Sequence, residues 1–232
     1  WTPEQIAGRW RTESKSVICH ETIYQFVYEN HPHLVKLHFR RKGKKYQRKR
    51  KEKYQICDRR MIDDRPESAE LRKIIGHWEG DTIIGKNHKQ GIVTNVERKS
   101  GFLLAKKIPK RTATNVADVT KELFDNIPDE LKISITYDNG KEFAWHKIIE
   151  TENKMKVYFA HPYCSWERGT NENTNGLLRQ YIPKGTDFDT VSDEDLAKYV
   201  DLINNRPRKR LGWKTPFEVF HGLEIQKSCS SF

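Results

Sequence analysis

The chain has 232 residues, of which 35% are hydrophobic and 32% charged, so it is more polar than an average globular protein without having a disordered composition. No apolar run approaches the ~18 residues that span a bilayer, and no signal peptide stands at the start, which argues against a membrane protein and a secreted one. The net charge of +11 favours a polyanionic partner, most often a nucleic acid.

Basic residues are concentrated near the start of the chain. Residues 1–70 carry 17 basic and 10 acidic side chains, against 26 and 22 in residues 71–232. The four cysteines show no CxxC spacing, so we expect reduced thiols and a cytoplasmic protein rather than a zinc site or a disulfide framework.

We predict a small helical segment over residues 1–39. A first helix begins near Pro3, and a second covers residues 20–29, with Ile23, Phe26 and Val27 at the spacing of a buried stripe. Two short helices beside a basic tail suggest a DNA-binding helix-turn-helix, although the connection over residues 11–18 is longer than the turn of that motif. A helical pair packed on the main domain fits the periodicity equally well.

Residues 40–70 are predicted to be a basic linker or arm. The stretch 40–53 holds ten Lys or Arg and one Glu, and it has no apolar face. Such density favours an arm that follows DNA phosphates, and a solvated charge run without a partner is the alternative. The candidate DNA contacts in this arm are Arg40, Arg41, Lys42, Lys44 and Lys45.

The sequence pattern of residues 71–222 is typical of a globular domain, and residues 223–232 are predicted to be a short tail. Three closely joined strands predict an antiparallel meander, and two further strands alternate with helices. The predicted order β-β-β-α-β-α-β-α-α gives an α/β fold with a mixed five-stranded sheet flanked by helices. The strands are predicted at 78–84, 91–97, 101–108, 132–137 and 155–160, and the helices at 114–127, 142–152, within 168–181, and after Ser192.

Three acids stand where chemistry could use them. Asp81 lies inside the first apolar strand, Asp138 directly follows the fourth strand, and Glu172 lies near the start of a helix. Each acid alone has an ordinary explanation. Asp81 could be a solvent-facing strand residue, Asp138 a turn residue, and Glu172 a first-turn acid that interacts favourably with the helix dipole.

The predicted topology favours a catalytic role over these ordinary explanations. A right-handed crossover places the strand after the first helix beside the first strand. Asp81 and Asp138 then lie on adjacent strands, and a helix that crosses the sheet can supply Glu172. Three carboxylates without a Cys or His cluster suit Mg²⁺ or Mn²⁺. Two such ions ~4 Å apart stabilise both the attacking and the leaving oxygen of a phosphoryl transfer. These three acids are the predicted catalytic and metal-binding residues.

Several long motifs carry a resemblance to a known family. They are GHWEGDTIIG (76–85), YDNGKEF (137–143), HPYCSWERGTNENTNGLLRQYIPKG (161–185) and NNRPRKRLGWKTPFEVF (204–220). The chain resembles the ribonuclease H-like catalytic core of DDE transposases and retroviral-type integrases, and is most similar to the insertion-sequence-thirty family of bacterial transposases. The resemblance covers residues 74–220, and its most specific part surrounds Glu172.

The resemblance implies a function and a site. The family's three catalytic acids map onto Asp81, Asp138 and Glu172, with 33 residues between the last two. It implies metal-dependent hydrolysis at transposon ends, strand transfer by transesterification, and a homo-oligomer on double-stranded DNA at the bacterial nucleoid. Family members usually carry a further helix-turn-helix domain, absent before Trp1, so we expect this chain to be a piece of a longer protein.

Side chains near these acids leave several interpretations open. Glu79 shares a strand face with Asp81 and fits a supporting group, an alternative metal ligand or a solvated edge acid. Arg168 and Arg179 are expected on the face of the Glu172 helix, where they would contact DNA phosphates or form surface ion pairs. Arg206–Arg210 would add phosphate contacts. We also expect a weakened cap at Cys19, a core role for Phe143, and structural roles for His146 and His161.

The sequence leaves two rival functions open. One is a DNA-binding regulator on a catalytically inactive fold, against which the intact acid triad argues. The other is a nuclease of the same fold that cuts without joining strands. The long motif around Glu172 disfavours the nuclease, but metal chemistry alone does not separate the two.

Overall fold

The computed structural model describes residues 18–38, 56–86, 90–162 and 164–223, together with positions 3, 6, 7 and 10. The chain divides into two compact units, Trp1–Lys53 and Tyr54–Phe232. The basic arm lies outside the described residues, and so do its five candidate DNA contacts, Arg40, Arg41, Lys42, Lys44 and Lys45.

The first unit contains helix α1, His20–Asn30, and helix α2, Pro32–His38, of which the sequence predicted only α1. Cys19 is the N-cap of α1 and makes no side-chain capping bond, as expected. The predicted buried stripe is wrong at Phe26, which is 55% exposed, and α1 has no fully buried residue. Ile23 and Val27, the other two residues of the predicted stripe, are half-buried.

The second unit is built on a five-stranded sheet in the order β3-β2-β1-β4-β5. The first three strands form an antiparallel meander, and β4 runs parallel to both β1 and β5. The predicted placement of the fourth strand beside the first is therefore confirmed. The strands are β1 His77–Ile84, β2 Gly91–Glu97, β3 Leu103–Ile108, β4 Ser134–Tyr137 and β5 Lys156–Phe159.

Six helices accompany this sheet in the described residues: α3 Glu67–Glu70, α4 Ala113–Phe124, α5 His146–Asn153, α6 Gly169–Tyr181, α7 Asp193–Asn204 and α8 Pro216–Phe220. Several predicted boundaries are wrong by a few residues. Helix α4 ends at Phe124 rather than at residue 127, and strand β4 begins at Ser134 rather than at residue 132. Helix α5 begins at His146 rather than at residue 142, because Lys141–Phe143 form a separate 3-10 turn. Strand β3 begins at Leu103 rather than at residue 101, because Gly101 has a φ of +78°, which no strand residue adopts. No helix in the described residues is long and apolar enough to cross a membrane.

Apolar side chains cover both faces of the sheet and produce three layers. On one face Trp78 and Tyr137 pack with residues of α4, α5 and α8, and Trp78 meets the Phe124 ring edge-on at 4.9 Å between centroids. On the other face Ile83 and Leu103 pack with residues of α6 and α7. The alternation of strand side chains thus assigns the odd-numbered residues of β1, including Asp81, to the face covered by α6.

Gly80 allows β4 to pack closely on β1. A Cβ at this position would lie 2.1 Å from Cε1 of Tyr137, whose ring is wholly buried across the strand. A glycine is therefore required between Glu79 and Asp81, because the tyrosine that precedes Asp138 packs against this position.

Candidate active site

Strand register brings two of the predicted acids together. Strand β1 pairs with β4 through Trp78–Ile135 and Glu79–Thr136. When this register is continued by two residues, Asp81 lies beside Asp138. Thr82 N donates to Asp81 Oδ1 at 2.8 Å, and Gly140 N donates to Asp138 Oδ1 at 2.8 Å. Backbone donors therefore orient both carboxylates.

The Arg168 guanidinium lies between the two carboxylates. Nη1 is 3.8 Å from Asp81 Oδ2, Nη2 is 3.4 Å from Asp138 Oδ2, and Nη1 also donates to the Gly80 carbonyl at 3.1 Å. Arg168 is only 9% exposed and ends the 3-10 turn Ser165–Arg168. It therefore precedes α6, and the prediction that it lies on the Glu172 helix is wrong.

Burial is the main influence on the ionisation of Asp81. It raises the pKa of this carboxyl from 3.8 to about 6, with an opposing effect of Arg168 and a reinforcing one of Asp138. The folded state thus binds a proton more tightly than the unfolded chain does, and stability falls as pH rises from about 4 towards 6.

We therefore expect Asp81→Asn to stabilise the chain against urea at pH 7.5 without divalent cations, and to lose this advantage near pH 4. The amide resembles the protonated carboxyl, so the variant avoids the cost of a buried charge. Urea titrations at pH 4, 5.5 and 7.5 in EDTA measure the difference, with the exposed Asp118→Asn as the control. A stability gap that does not change with pH would contradict the assignment of the raised pKa to Asp81.

Glu172 does not join the two aspartates in this structure. It lies in the first turn of α6, is exposed, and makes no hydrogen bond or ion pair with any described residue. No three His, Cys, Asp or Glu side chains of the described residues are close enough to hold one ion together.

The donor set nevertheless fits a hard divalent cation. Asp81 and Asp138 already share one cationic group, and their carboxylate oxygens are the ligands that Mg²⁺ and Mn²⁺ prefer. Burial is the main cause of the raised pKa of Asp81, and a bound cation would act against it, as Arg168 does. Glu172 stands on the helix that covers this face, and its role as a third oxygen ligand stays a prediction.

Glu79 supports α6 rather than facing solvent. Its side chain is fully buried, Oε1 accepts from Arg98 Nη1 at 2.7 Å, and Oε2 accepts from Asn171 N at 2.8 Å. The Asn171 amide donates back to the Glu79 carbonyl at 2.8 Å. Of the three open interpretations, a supporting group fits this geometry, because both carboxylate oxygens are occupied.

Sequence reasoning missed two asparagines of α6. Asn171 binds β1 at Glu79, and Asn175 Nδ2 donates to Asp81 Oδ2 at 3.1 Å. Their spacing of four residues, on either side of Glu172, places them on one helix face and was the signal that could have revealed them. The helix therefore holds the acid of β1 directly.

The remaining side chains near the acids have internal partners. Arg179 donates to the carbonyls of Ile84 and Pro183, at 2.8 and 3.2 Å, so its guanidinium joins the end of β1 to the end of α6. Its contact with DNA stays a prediction, as does that of Arg168. Glu142 is buried and accepts from Thr82 Oγ1 at 3.0 Å.

The predicted core and structural residues have buried or paired side chains. Phe143 is fully buried and stacks on Tyr137 with 4.2 Å between centroids. His146 is buried against the Phe159 ring, and His161 lies between Asp63 and Glu167. The hydrogen bond with Glu167 raises the pKa of His161. These contacts give both imidazoles partners outside the pair of aspartates.

Comparisons with known proteins agree with this geometry. No protein-family model matches the chain. It is 44% identical to the transposase for insertion sequence element IS4351 of Bacteroides fragilis, over 99% of this chain and 72% of that protein. It is 36% identical to transposase InsI for insertion sequence element IS30A of Escherichia coli K12, over 94% of this chain but only 61% of that protein.

One solved structure supports the fold. A chain of the simian T-cell lymphotropic virus intasome, solved in complex with PP2A regulatory subunit B56 gamma, aligns with a TM-score of 0.52 and 21% identity, over 66% of this chain and 56% of that one. Together with the strand order, this likeness defines a ribonuclease H-like core of the retroviral-integrase type.

The transposase relatives place the chain in the class of DDE polynucleotidyl transferases. Within that class, the chain belongs to the IS30 family of insertion-sequence transposases. Membership implies the use of a divalent metal ion.

Proposed function

We propose that the chain is the catalytic part of a DNA transposase, which cuts phosphodiester bonds at transposon ends and joins the ends to target DNA. The observation that carries this proposal is the alignment of Asp81 with Asp138 around one buried guanidinium. In a chain of the IS30 family, paired carboxylates at this position of the sheet support phosphoryl transfer rather than an ordinary ion pair.

The chemistry requires two balanced steps at one site. In the first, water attacks phosphorus at the transposon end, and the P–O bond to the 3′ oxygen breaks, which releases a 3′-hydroxyl. In the second, this hydroxyl attacks a target phosphodiester, and one P–O bond forms as another breaks. Since the number of phosphodiester bonds is unchanged in the second step, no nucleotide cofactor is needed.

Each site residue has a proposed role in these steps. Asp81, Asp138 and Glu172 would hold two divalent cations, Mg²⁺ or Mn²⁺, once DNA is bound. Bound cations supply Lewis-acid stabilisation of charge on the attacking and leaving oxygens. Asn175 orients the Asp81 carboxylate, and Arg168 offsets part of the negative charge of the two aspartates while the cations are absent.

The proposed partner is double-stranded DNA, both transposon ends and target, bound by a homo-oligomer at the bacterial nucleoid. Cutting two ends and joining both to one target requires at least two sites held together. The basic arm over residues 40–53 and the arginines of Arg206–Arg210 would supply phosphate contacts, which weaken as salt rises.

A branched DNA substrate tests the chemistry without requiring recognition of transposon ends. Because strand transfer conserves the number of phosphodiester bonds, the enzyme should also reverse it. We expect the chain to release a labelled end from a branched duplex that mimics the joined product, and to reseal the target strand, with Mn²⁺ or Mg²⁺ present.

Two controls separate the rival functions in this assay. An RNA–DNA hybrid reports a nuclease, which would cut the hybrid and leave the branched strand unsealed. A regulator without activity would bind the branched DNA and leave it unchanged. Either of these outcomes contradicts the proposed transposase function.

A further inference from the structure

A cavity of about 230 Å³ lies beside the first turns of α6, within the second unit. Arg72, Arg208 and Arg210 line it together with the first turn of α6. Since a water molecule occupies ~30 Å³ of liquid, the cavity can hold one phosphate group with several waters. No carboxylate is among its lining residues.

The three arginines lack acidic partners. None of them lies within ion-pair distance of a carboxylate of any described residue, whereas Arg65, Arg98 and Arg168 all have such partners. Burial lowers the pKa of Arg208 and of Arg210, and neighbouring guanidinium groups lower both further. The Glu97 carboxylate acts in the opposite direction on the pKa of Arg210. A guanidinium remains charged in any protein, so the lining of this cavity carries an excess of positive charge.

Backbone contacts hold two of the guanidinium groups in place. Arg208 Nη2 donates to the Ile203 carbonyl at 3.1 Å, and Arg210 Nη1 donates to the Lys99 carbonyl at 2.7 Å. Arg72 makes no hydrogen bond with a described residue. It stands at a φ of +51°, a left-handed conformation that is uncommon for an arginine.

The first turn of α6 adds neutral donors to the cavity. Thr170 lines the cavity and is only 7% exposed, yet its buried Oγ1 has no hydrogen-bond partner. Gly169 also lines the cavity, and no atom lies within 4 Å of the place where its Cβ would be. A helix N-terminus favours an anion, and the buried hydroxyl of Thr170 is a further unused donor beside the cavity.

Two adjoining faces of α6 serve the cavity and the acids, because consecutive helical residues lie ~100° apart around the axis. Thr170 and Thr174 line the cavity, whereas Asn171 and Asn175 bind Glu79 and Asp81 on the sheet side. A phosphate held in this cavity would lie beside the same helix that contacts Asp81 through Asn175.

We propose that this cavity, formed by Arg72, Arg208, Arg210 and the first turn of α6, binds a backbone phosphate of the DNA substrate, away from the reacting bond. The inference rests on the proposed function for the identity of the ligand. The cavity would set how DNA lies across α6 and hence which phosphodiester reaches the acids.

Arg72→Asn provides the sharpest test. Asparagine adopts the left-handed conformation more readily than arginine, so the variant should fold at least as stably as the wild type. We expect its affinity for duplex DNA to fall about tenfold at 0.1 M salt, with a salt slope smaller by about 1, since one phosphate contact is lost. Fluorescence anisotropy in EDTA measures binding without cleavage.

Two further variants complete the experiment. Thr170→Val removes the hydroxyl with little change in shape and should also weaken binding, whereas Lys156→Ala, which removes one charge from β5, should change it little. Inorganic phosphate at millimolar concentration should compete with DNA for the wild type more than for Arg72→Asn.

Unchanged affinity and salt slope in Arg72→Asn would overturn the cavity proposal and leave the transposase function intact. A loss of affinity in Lys156→Ala equal to that in Arg72→Asn would also overturn it, because net charge alone would then explain the effect. Failure of the wild type to bind DNA would contradict both proposals.

Discussion

Asp81→Asn, Asp138→Asn and Glu172→Gln are each expected to reduce cleavage and strand transfer by at least about 10³-fold. Each change removes an anionic oxygen ligand, and cation stabilisation of the transferring group contributes several kcal/mol, at 1.36 kcal/mol per factor of ten. The amide side chains keep the shape of the acids, so folding should persist. Product formation on labelled branched DNA, with circular dichroism of each variant, measures both effects.

Matched changes at exposed acids control for the loss of charge. Asp118→Asn on α4 and Glu194→Gln on α7 change the same chemical groups away from the paired aspartates, and both should retain wild-type activity. Near-normal activity in folded Glu172→Gln would remove this residue from the triad, while the result for Asp81 and Asp138 would stand independently. That comparison is informative because Glu172 is exposed and unpaired in the structure.

Glu79→Ala is expected to lower the free energy of unfolding by about 3–5 kcal/mol. The substitution leaves the Arg98 guanidinium buried without its carboxylate and leaves Asn171 N without its acceptor. Because Asn171 precedes Glu172, activity should fall as well, even in conditions where the variant is folded. Urea denaturation measures the first effect, and the branched-DNA assay measures the second.

Two further substitutions serve as controls for the effect of Glu79→Ala on stability. Glu79→Gln keeps an acceptor for Asn171 N and should cost less than alanine does. Glu122→Ala removes the acid of the exposed Lys106–Glu122 pair, which should cost no more than about 1 kcal/mol. If Glu79→Ala destabilises the chain no more than Glu122→Ala, Glu79 does not anchor α6.

The positions of the three acids differ in how firmly the fold holds them. Asp81 and Asp138 end up adjacent through strand register and are oriented by backbone donors. Glu172 stands on a helix that Asn171 and Asn175 attach to β1, but its own side chain has no partner among the described residues. Cation and DNA binding would therefore need to recruit Glu172, whereas the aspartates are already in place.

Local pattern was enough to predict most of the architecture. Strand alternation and helical periodicity depend on neighbouring residues, and they predicted the five strands, the main helices and the meander. The crossover rule then placed the fourth strand beside the first, and with it Asp81 beside Asp138. Glu172 was chosen from the family motifs, because no local pattern distinguishes it from an ordinary first-turn acid, and its catalytic role stays a prediction.

Only the tertiary structure decides which charged side chains pair with one another. Arg168 resembles a surface cation in the sequence, yet packing buries it between two aspartates that lie 87 and 30 residues earlier in the chain. Glu79 could equally have been a ligand or an edge acid until Arg98 and Asn171 were seen to occupy both its oxygens. Charged groups interact through space, and distances between residues far apart in sequence are decided only when the layers pack.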